Sequence, residues 1–133
     1  MKDIRPITSV PGYPATQYPY SPAVVANGFV FVSGQIAVRA GSGSPVIVGT
    51  TMQEQTHQVL KNLKAVLEAT GSSLERVVKV TVLLARPDLF KEMNEAYAQH
   101  FPGPKPARSV AQLGANVPGV LISIDAIALA ADG

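Results

Sequence analysis

The most regular stretch of the chain lies between Thr51 and Ala69. There the apolar positions Met52, Val59, Leu60, Leu63, Val66 and Leu67 recur at helical spacing, with Thr56 on the same stripe. Thr50 or Thr51 can cap this helix, Glu54 suits its first turn, and Gly71 ends it. The period then changes. From Val77 to Leu84, the residues Val78, Val80, Val82 and Leu84 line one face while Lys79 and Thr81 interrupt the other, which predicts a half-buried strand. Pro87 opens a second amphipathic helix whose inward stripe is Leu89, Phe90, Met93, Ala96 and Tyr97, and Pro102 with Pro104 stops it. Upstream, two short β-type runs, Ala23 to Ala26 and Phe29 to Ser33, flank Asn27-Gly28, a strong hairpin signal. Ala107 to Leu113 and Val120 to Leu129 read as the closing pair of strands. Residues 11–22, crowded with prolines and tyrosines, and residues 40–45, rich in Gly and Ser, follow neither period and read as loops.

The resulting order is β-β-α-β-α-β-β, with room for one more strand around Arg5 to Val10. It predicts the α+β class: one mixed sheet with both helices packed on a single face. At 133 residues, a single domain over 1–133 is the natural size for one core. The second sheet face then has nothing to cover it. Composition sharpens that problem, because 47% of the residues are hydrophobic and only 15% charged, against about 25% charged in an average soluble domain. A partner subunit is expected to take up the surplus apolar surface.

Charge narrows the partners further. Eleven basic against nine acidic residues leave a net +2, and the basic residues are scattered singly. Without a Lys/Arg stripe interleaved with aromatics, nucleic acid is not an expected partner. The absence of cysteine excludes disulfides, a thiolate nucleophile and Cys-ligated zinc. The start Met1-Lys2-Asp3-Ile4-Arg5-Pro6 lacks an apolar signal core, and no apolar run reaches the roughly 18 residues of a membrane span. The expectation is a soluble cytoplasmic protein with no membrane contact.

Few side chains are available for chemistry. His57 falls in the first helix and His100 near the end of the second, and neither has metal-ligand spacing with another His or a paired carboxylate, so both read as solvated or structural. Ser33-Gly34-Gln35 is a strand end without the Gly-x-Ser-x-Gly pattern of a nucleophile elbow. More informative is Lys105-Pro106-Ala107-Arg108-Ser109, which puts an arginine at the start of a strand directly after a proline-rich turn. Its planar fork suits bidentate carboxylate recognition, although taken by itself Arg108 reads first as a surface arginine in an ion pair. Tyr20, Ser33 and Ser123, taken singly, are ordinary strand or loop residues.

Seven segments in order change that reading. They are Pro19-Tyr20-Ser21-Pro22-Ala23, Val32-Ser33-Gly34-Gln35-Ile36, and Gln55-Thr56 leading to the run Val59 to Leu67. Then come Val78-Lys79-Val80-Thr81-Val82, Met93-Asn94-Glu95-Ala96-Tyr97, Pro106-Ala107-Arg108-Ser109 and Ile124-Asp125-Ala126-Ile127-Ala128. Together they resemble the RidA/YjgF family over about residues 17–129. The resemblance implies a chorismate-mutase-like α+β domain assembled as a homotrimer, with ligand sites in the clefts between subunits and neither cofactor nor metal. It further implies hydrolysis of reactive enamines and imines of amino acids such as serine and threonine to 2-oxo acids and ammonia. Carried over by position, Arg108 grips the substrate carboxylate, the backbone around Ser33 and Gly34 helps hold the ligand, and Tyr20 closes the cleft.

One departure bears on the chemistry. Where the best-studied branch reads approximately Ile-Glu-Ile-Glu-Ala-Ile-Ala, this chain has Ile122-Ser123-Ile124-Asp125-Ala126-Ile127-Ala128, so Ser123 stands where the water-orienting acid belongs. Val110 likewise replaces the cysteine two residues beyond the arginine. Serine is a poor base at neutral pH unless activated. Asp125 lies on the same strand face, roughly 6.5–7 Å away. Two readings follow: a deaminase in which Ser123, with Asp125, replaces the usual acid, or a trimeric small-carboxylate binder or chaperone-like regulator with little deaminase activity. A third turns the scaffold to another hydrolysis, of a ring or an amide.

Overall fold

The first helix, α1 (Met52–Ala69), is fixed at both ends by its own sequence. Thr51 is its N-cap: the Thr51 hydroxyl accepts from the Glu54 amide, and the Glu54 carboxylate accepts from the Thr51 amide, each at 3.1 Å, so two orphan donors are satisfied reciprocally. At the far end Gly71 adopts φ +83°, and the amides of Gly71 and Ser72 donate back to the carbonyls of Glu68 and Leu67. Such a close requires a left-handed residue, which glycine supplies without a Cβ clash. The computed structural model describes residues 3–13, 16, 18–39, 46–114 and 117–131; the loop expected at 40–45 lies outside them.

Six strands form one sheet: β1 (Ile4–Ile7), β2 (Ala23–Ala26), β3 (Phe29–Gln35), β4 (Val77–Leu84), β5 (Ala107–Gln112) and β6 (Ile122–Leu129). Their spatial order is β1-β2-β3-β6-β4-β5. Asn27 and Gly28 both take positive φ, 51° and 83°, as a tight hairpin needs, and Ala26 pairs with Phe29 across it. The further N-terminal strand exists but is shorter and earlier than the 5–10 span suggested. The closing strands are not paired with each other. β5 runs parallel to β4 because the second helix, α2 (Phe90–Ala98), carries the chain across between them, whereas β6 inserts antiparallel between β3 and β4.

Both helices pack on one face of this mixed sheet, as expected. Val30, Val32, Val80, Val82, Leu84, Ile122, Ile124, Ala126 and Ala128 point into the core between sheet and helices. Two positions depart from the sequence pattern. The β4–β6 register shifts between Val77 and Lys79, so Val77 is buried and Val78 is turned out, 41% exposed. Pro87 to Leu89 form a short 3-10 turn rather than the first turn of α2, and Phe90, counted with the inward stripe, is 41% exposed at its rim. The other sheet face carries no helix among the described elements. It presents Phe31, Ser123, Asp125 and Ile127 at partial or full exposure. No helix among the described residues is long and apolar enough to cross a membrane.

Candidate functional site

Arg108 pairs in register with Val80, so its side chain leaves β5 on the helix side of the sheet, at the sheet's edge. Three residues of α2 receive it: Phe90, Asn94 and Tyr97, spaced i, i+4 and i+7 on one stripe. The Nη1 group donates to Asn94 Oδ1 at 2.7 Å. The guanidinium carbon sits 4.8 Å from the Tyr97 ring centroid and 5.8 Å from that of Phe90, within cation–π range. The ion pair that the residue type alone suggested is not there. Among the described residues the ion pairs are Arg5–Asp3 and Arg86–Asp88, and Arg108 has a neutral amide as its partner instead. Among the described residues, no carboxylate pairs with its positive charge. Nε and Nη2, along one edge of the fork, have no acceptor among the described residues and form a side-on edge for a carboxylate.

A second group gathers around the end of β3. Val32 pairs with Ala126 and Gln35 with Ile124, so Ser33 and Gly34 together stand opposite Asp125 alone, a bulge in the ladder. Ser33 is pinned there, its hydroxyl donating to the Ser21 carbonyl at 2.6 Å and its amide to the Pro22 carbonyl at 3.0 Å. Tyr20, the residue before Ser21, is 53% exposed beside them. A Cβ added to Gly34 would come within 2.9 Å of Ser123 Oγ, so glycine is what lets the β3 backbone approach Ser123 this closely. Asp125 shares the open face. Burial pushes its carboxyl above the usual value, against the pull of Lys79 and a hydrogen bond with Thr81. Lys79 also donates to Ser109 Oγ at 3.1 Å, extending this polar row across the open face.

Sequence reasoning thus named residues that the fold sorts into two groups. Ser33, Gly34 and Ser123 come together, with Tyr20 on the chain segment that Ser33 holds through the Ser21 carbonyl, while Arg108 does not join them within one chain. Ser123 pairs with Leu83 on the open face, Arg108 lies on the helix face, and β4 separates their strands. Two strand spacings, about 10 Å, lie between the backbones alone. A hollow of about 370 Å³ opens elsewhere, at the end of the sheet beside Asp3, Arg5, Asn27 and Thr70, and touches none of these residues.

Motifs and spacing alone give the cradle residues Asn94 and Tyr97 no role at the site. The signal available was an asparagine inside the aromatic stripe of α2, since a polar residue at such a position asks for a partner. The histidines, 43 residues apart, prove to be neighbours. His57 Nδ1 and His100 Nε2 lie 2.9 Å apart in a hydrogen bond that no local spacing could reveal. Among the described residues no group of three or more metal-ligating side chains forms around them or elsewhere.

Residues 12–130 match the family described as Endoribonuclease L-PSP. A RutC family protein of Pyrococcus horikoshii is 46% identical over 110 residues, 83% of this chain and 86% of that protein. The 2-iminobutanoate/2-iminopropanoate deaminase of Mus musculus is 40% identical over 126 residues, 95% of this chain and 92% of its own. Among solved structures, TdcF of E. coli with bound serine superposes with a TM-score of 0.83 at 32% identity, covering 94% of this chain and 98% of that one.

Proposed function

The chain belongs to the RidA/YjgF family, and from that premise we propose that it hydrolyses reactive 2-imino and 2-enamino acids to 2-oxo acids and ammonia. The observation that carries this reading is the Arg108 edge left without an acid partner among the described residues, held over the Tyr97 ring by a neutral partner. Serine, the ligand named for TdcF, bears the kind of carboxylate that such an edge fits. Since one chain separates Arg108 from Ser33, Gly34 and Ser123, the site is completed between copies, with Arg108 of one subunit facing the bulge and Tyr20 of the next in a homotrimer. The uncovered sheet face, where Phe31 and Ile127 flank the polar row, gives such copies a surface to meet on.

In this cleft the carboxylate fixes the C=N carbon beside a water molecule. Water oxygen adds to that carbon, its protons pass to nitrogen, and the C–N bond then breaks to release ammonia. No covalent nucleophile is needed, because orientation and the fixed positive charge supply the rate. Ser123 holds the water and Asp125, its carboxyl pKa raised by burial, is the carboxyl on the same strand face that can take a proton. The purified protein is expected to release ammonia and 2-oxo acid from imines generated in situ by an amino-acid oxidase, and to scatter light with the mass of a trimer. A monomer would remove the inter-subunit site.

The uncharged Ser123 favours a second reading, a trimeric carboxylate binder with little turnover. Ser123→Glu separates the two. If the water is under-activated, a carboxylate at this position should raise kcat by about tenfold with little change in KM, as general-base catalysis allows. Unchanged or lower kcat, in a variant that still binds 2-oxobutanoate, would favour the binder.

A further inference from the structure

The hydrogen bond between His57 and His100 is the one side-chain hydrogen bond that joins α1 to the α2 segment among the described residues. The two ring centroids are 5.1 Å apart with the planes tilted by 47°, so the rings meet edge to edge rather than stacked. One N–H is shared between the two facing nitrogens. His100 stands two residues beyond the end of α2, and its amide donates to the Tyr97 carbonyl at 3.0 Å. Tyr97 is the ring on which Arg108 lies. The path from the histidine pair to the guanidinium therefore has one backbone hydrogen bond and one cation–π contact.

We propose that His57 and His100 are positioning residues for Arg108: their shared proton ties the end of α2 to α1, and through Tyr97 it fixes the plane in which Arg108 presents its free edge. The inference rests on the carboxylate-anchor reading of Arg108 and adds to it a dependence on protonation. A neutral or singly protonated pair keeps the bond, since one nitrogen remains an acceptor. A doubly protonated pair has two donors face to face and loses it.

The surroundings make that second proton costly. Burial lowers the affinity of His100 for a proton first, and the charges of His57 and Lys64, both on α1, lower it further. No carboxylate is among the groups acting on His100. Lys105, five residues further on in its own segment, is turned to the carbonyls of Phe101 and Gly103. Because its folded-state value lies below the ordinary one of about 6.5, the stabilisation that His100 provides is complete above that pH. It is lost as pH falls through the lowered folded value.

The test is the affinity for 2-oxobutanoate, which stays ionised throughout, titrated from about pH 7.5 to about pH 5.5. The parent should bind about threefold or more weaker at the acid end. His100→Ala should bind weakly at both ends, whereas His100→Gln, whose amide can bond His57 but cannot take the charge, should recover neutral-pH affinity and lose the pH dependence. A parental pH profile in His100→Gln, or parental affinity in His100→Ala, overturns the proposal. Binding that is equally strong in Arg108→Ala overturns the anchor reading instead. The Arg108 Nε–H signal in an NMR spectrum reads the guanidinium without any ligand: it should broaden on acidification in the parent and not in His100→Gln, and a signal indifferent to both also overturns the proposal.

Discussion

Arg108→Ala is expected to lower kcat/KM for 2-imino acids by about a hundredfold or more while the protein stays folded. Two charge-assisted hydrogen bonds from the fork to a carboxylate contribute about 1.5–3 kcal/mol each. Their combined loss of roughly 3 kcal/mol or more corresponds to at least two decades in rate. The cost to folding is much smaller. The side chain sits on an edge strand, its cation–π contact is worth about 0.5–1 kcal/mol, and half-buried Asn94 can turn to water when its partner goes. Arg108→Lys keeps the charge but not the planar fork and should recover only part of the loss. Steady-state kinetics beside a thermal melt checks both halves. Equal turnover in Arg108→Ala and the parent would take Arg108 out of the mechanism.

Local periodicity carried the elements of this fold. The capped helix α1, the Asn27-Gly28 hairpin, β4 and the two-helices-on-one-face layout are all written in spacing and turn chemistry, and each is found. Periodicity says nothing about which strands become neighbours, and the insertion of β6 between β3 and β4 depends on contacts far apart in sequence. A bulge is equally hidden, since one extra residue at Val78 flips a side chain without altering composition.

The site was legible in residue types and illegible in arrangement. Arg108, Ser33, Gly34, Tyr20 and Ser123 could be named from motifs, but nothing in the motifs tells that Arg108 and Ser123 emerge on opposite sides of the sheet. Nor could the neutral partner of Arg108 be read, because the ordinary expectation for an exposed arginine is an acid. The helix stripe Phe90, Asn94, Tyr97 was visible as spacing, and its polar member was the clue to a buried-side acceptor.

Polar residues on the inward stripe of α1 carry the second large expectation. Gln55 is 1% exposed, and its side chain joins two segments, the one leading into α1 and the one leading into β6. Nε2 donates to the carbonyls of Gly49 at 3.0 Å and Gly119 at 2.7 Å, while Oε1 accepts from the Leu121 amide at 2.9 Å. Two turns along, Asn62 does the same for the chain leaving β3, donating to the carbonyls of Ile36 and Val38 and accepting from the Tyr13 hydroxyl. Spacing along the helix gives the place of such a polar side chain on an apolar stripe but not its partners, which lie far away in sequence. Gln55→Met keeps the shape and removes all three bonds. It leaves one amide and two carbonyls without partners, at about 1–3 kcal/mol for each that stays buried. A net loss of about 3 kcal/mol is a large share of the roughly 5–15 kcal/mol that holds a domain together, and it should lower Tm by about 10 °C. Hydrogen exchange should show the Leu121 amide unprotected ahead of the rest of the sheet, since Leu121 leads into the strand that bears Ser123. A Tm within about 2 °C of the parent would mean that water replaces all three bonds, and that Gln55 does not hold these segments in place.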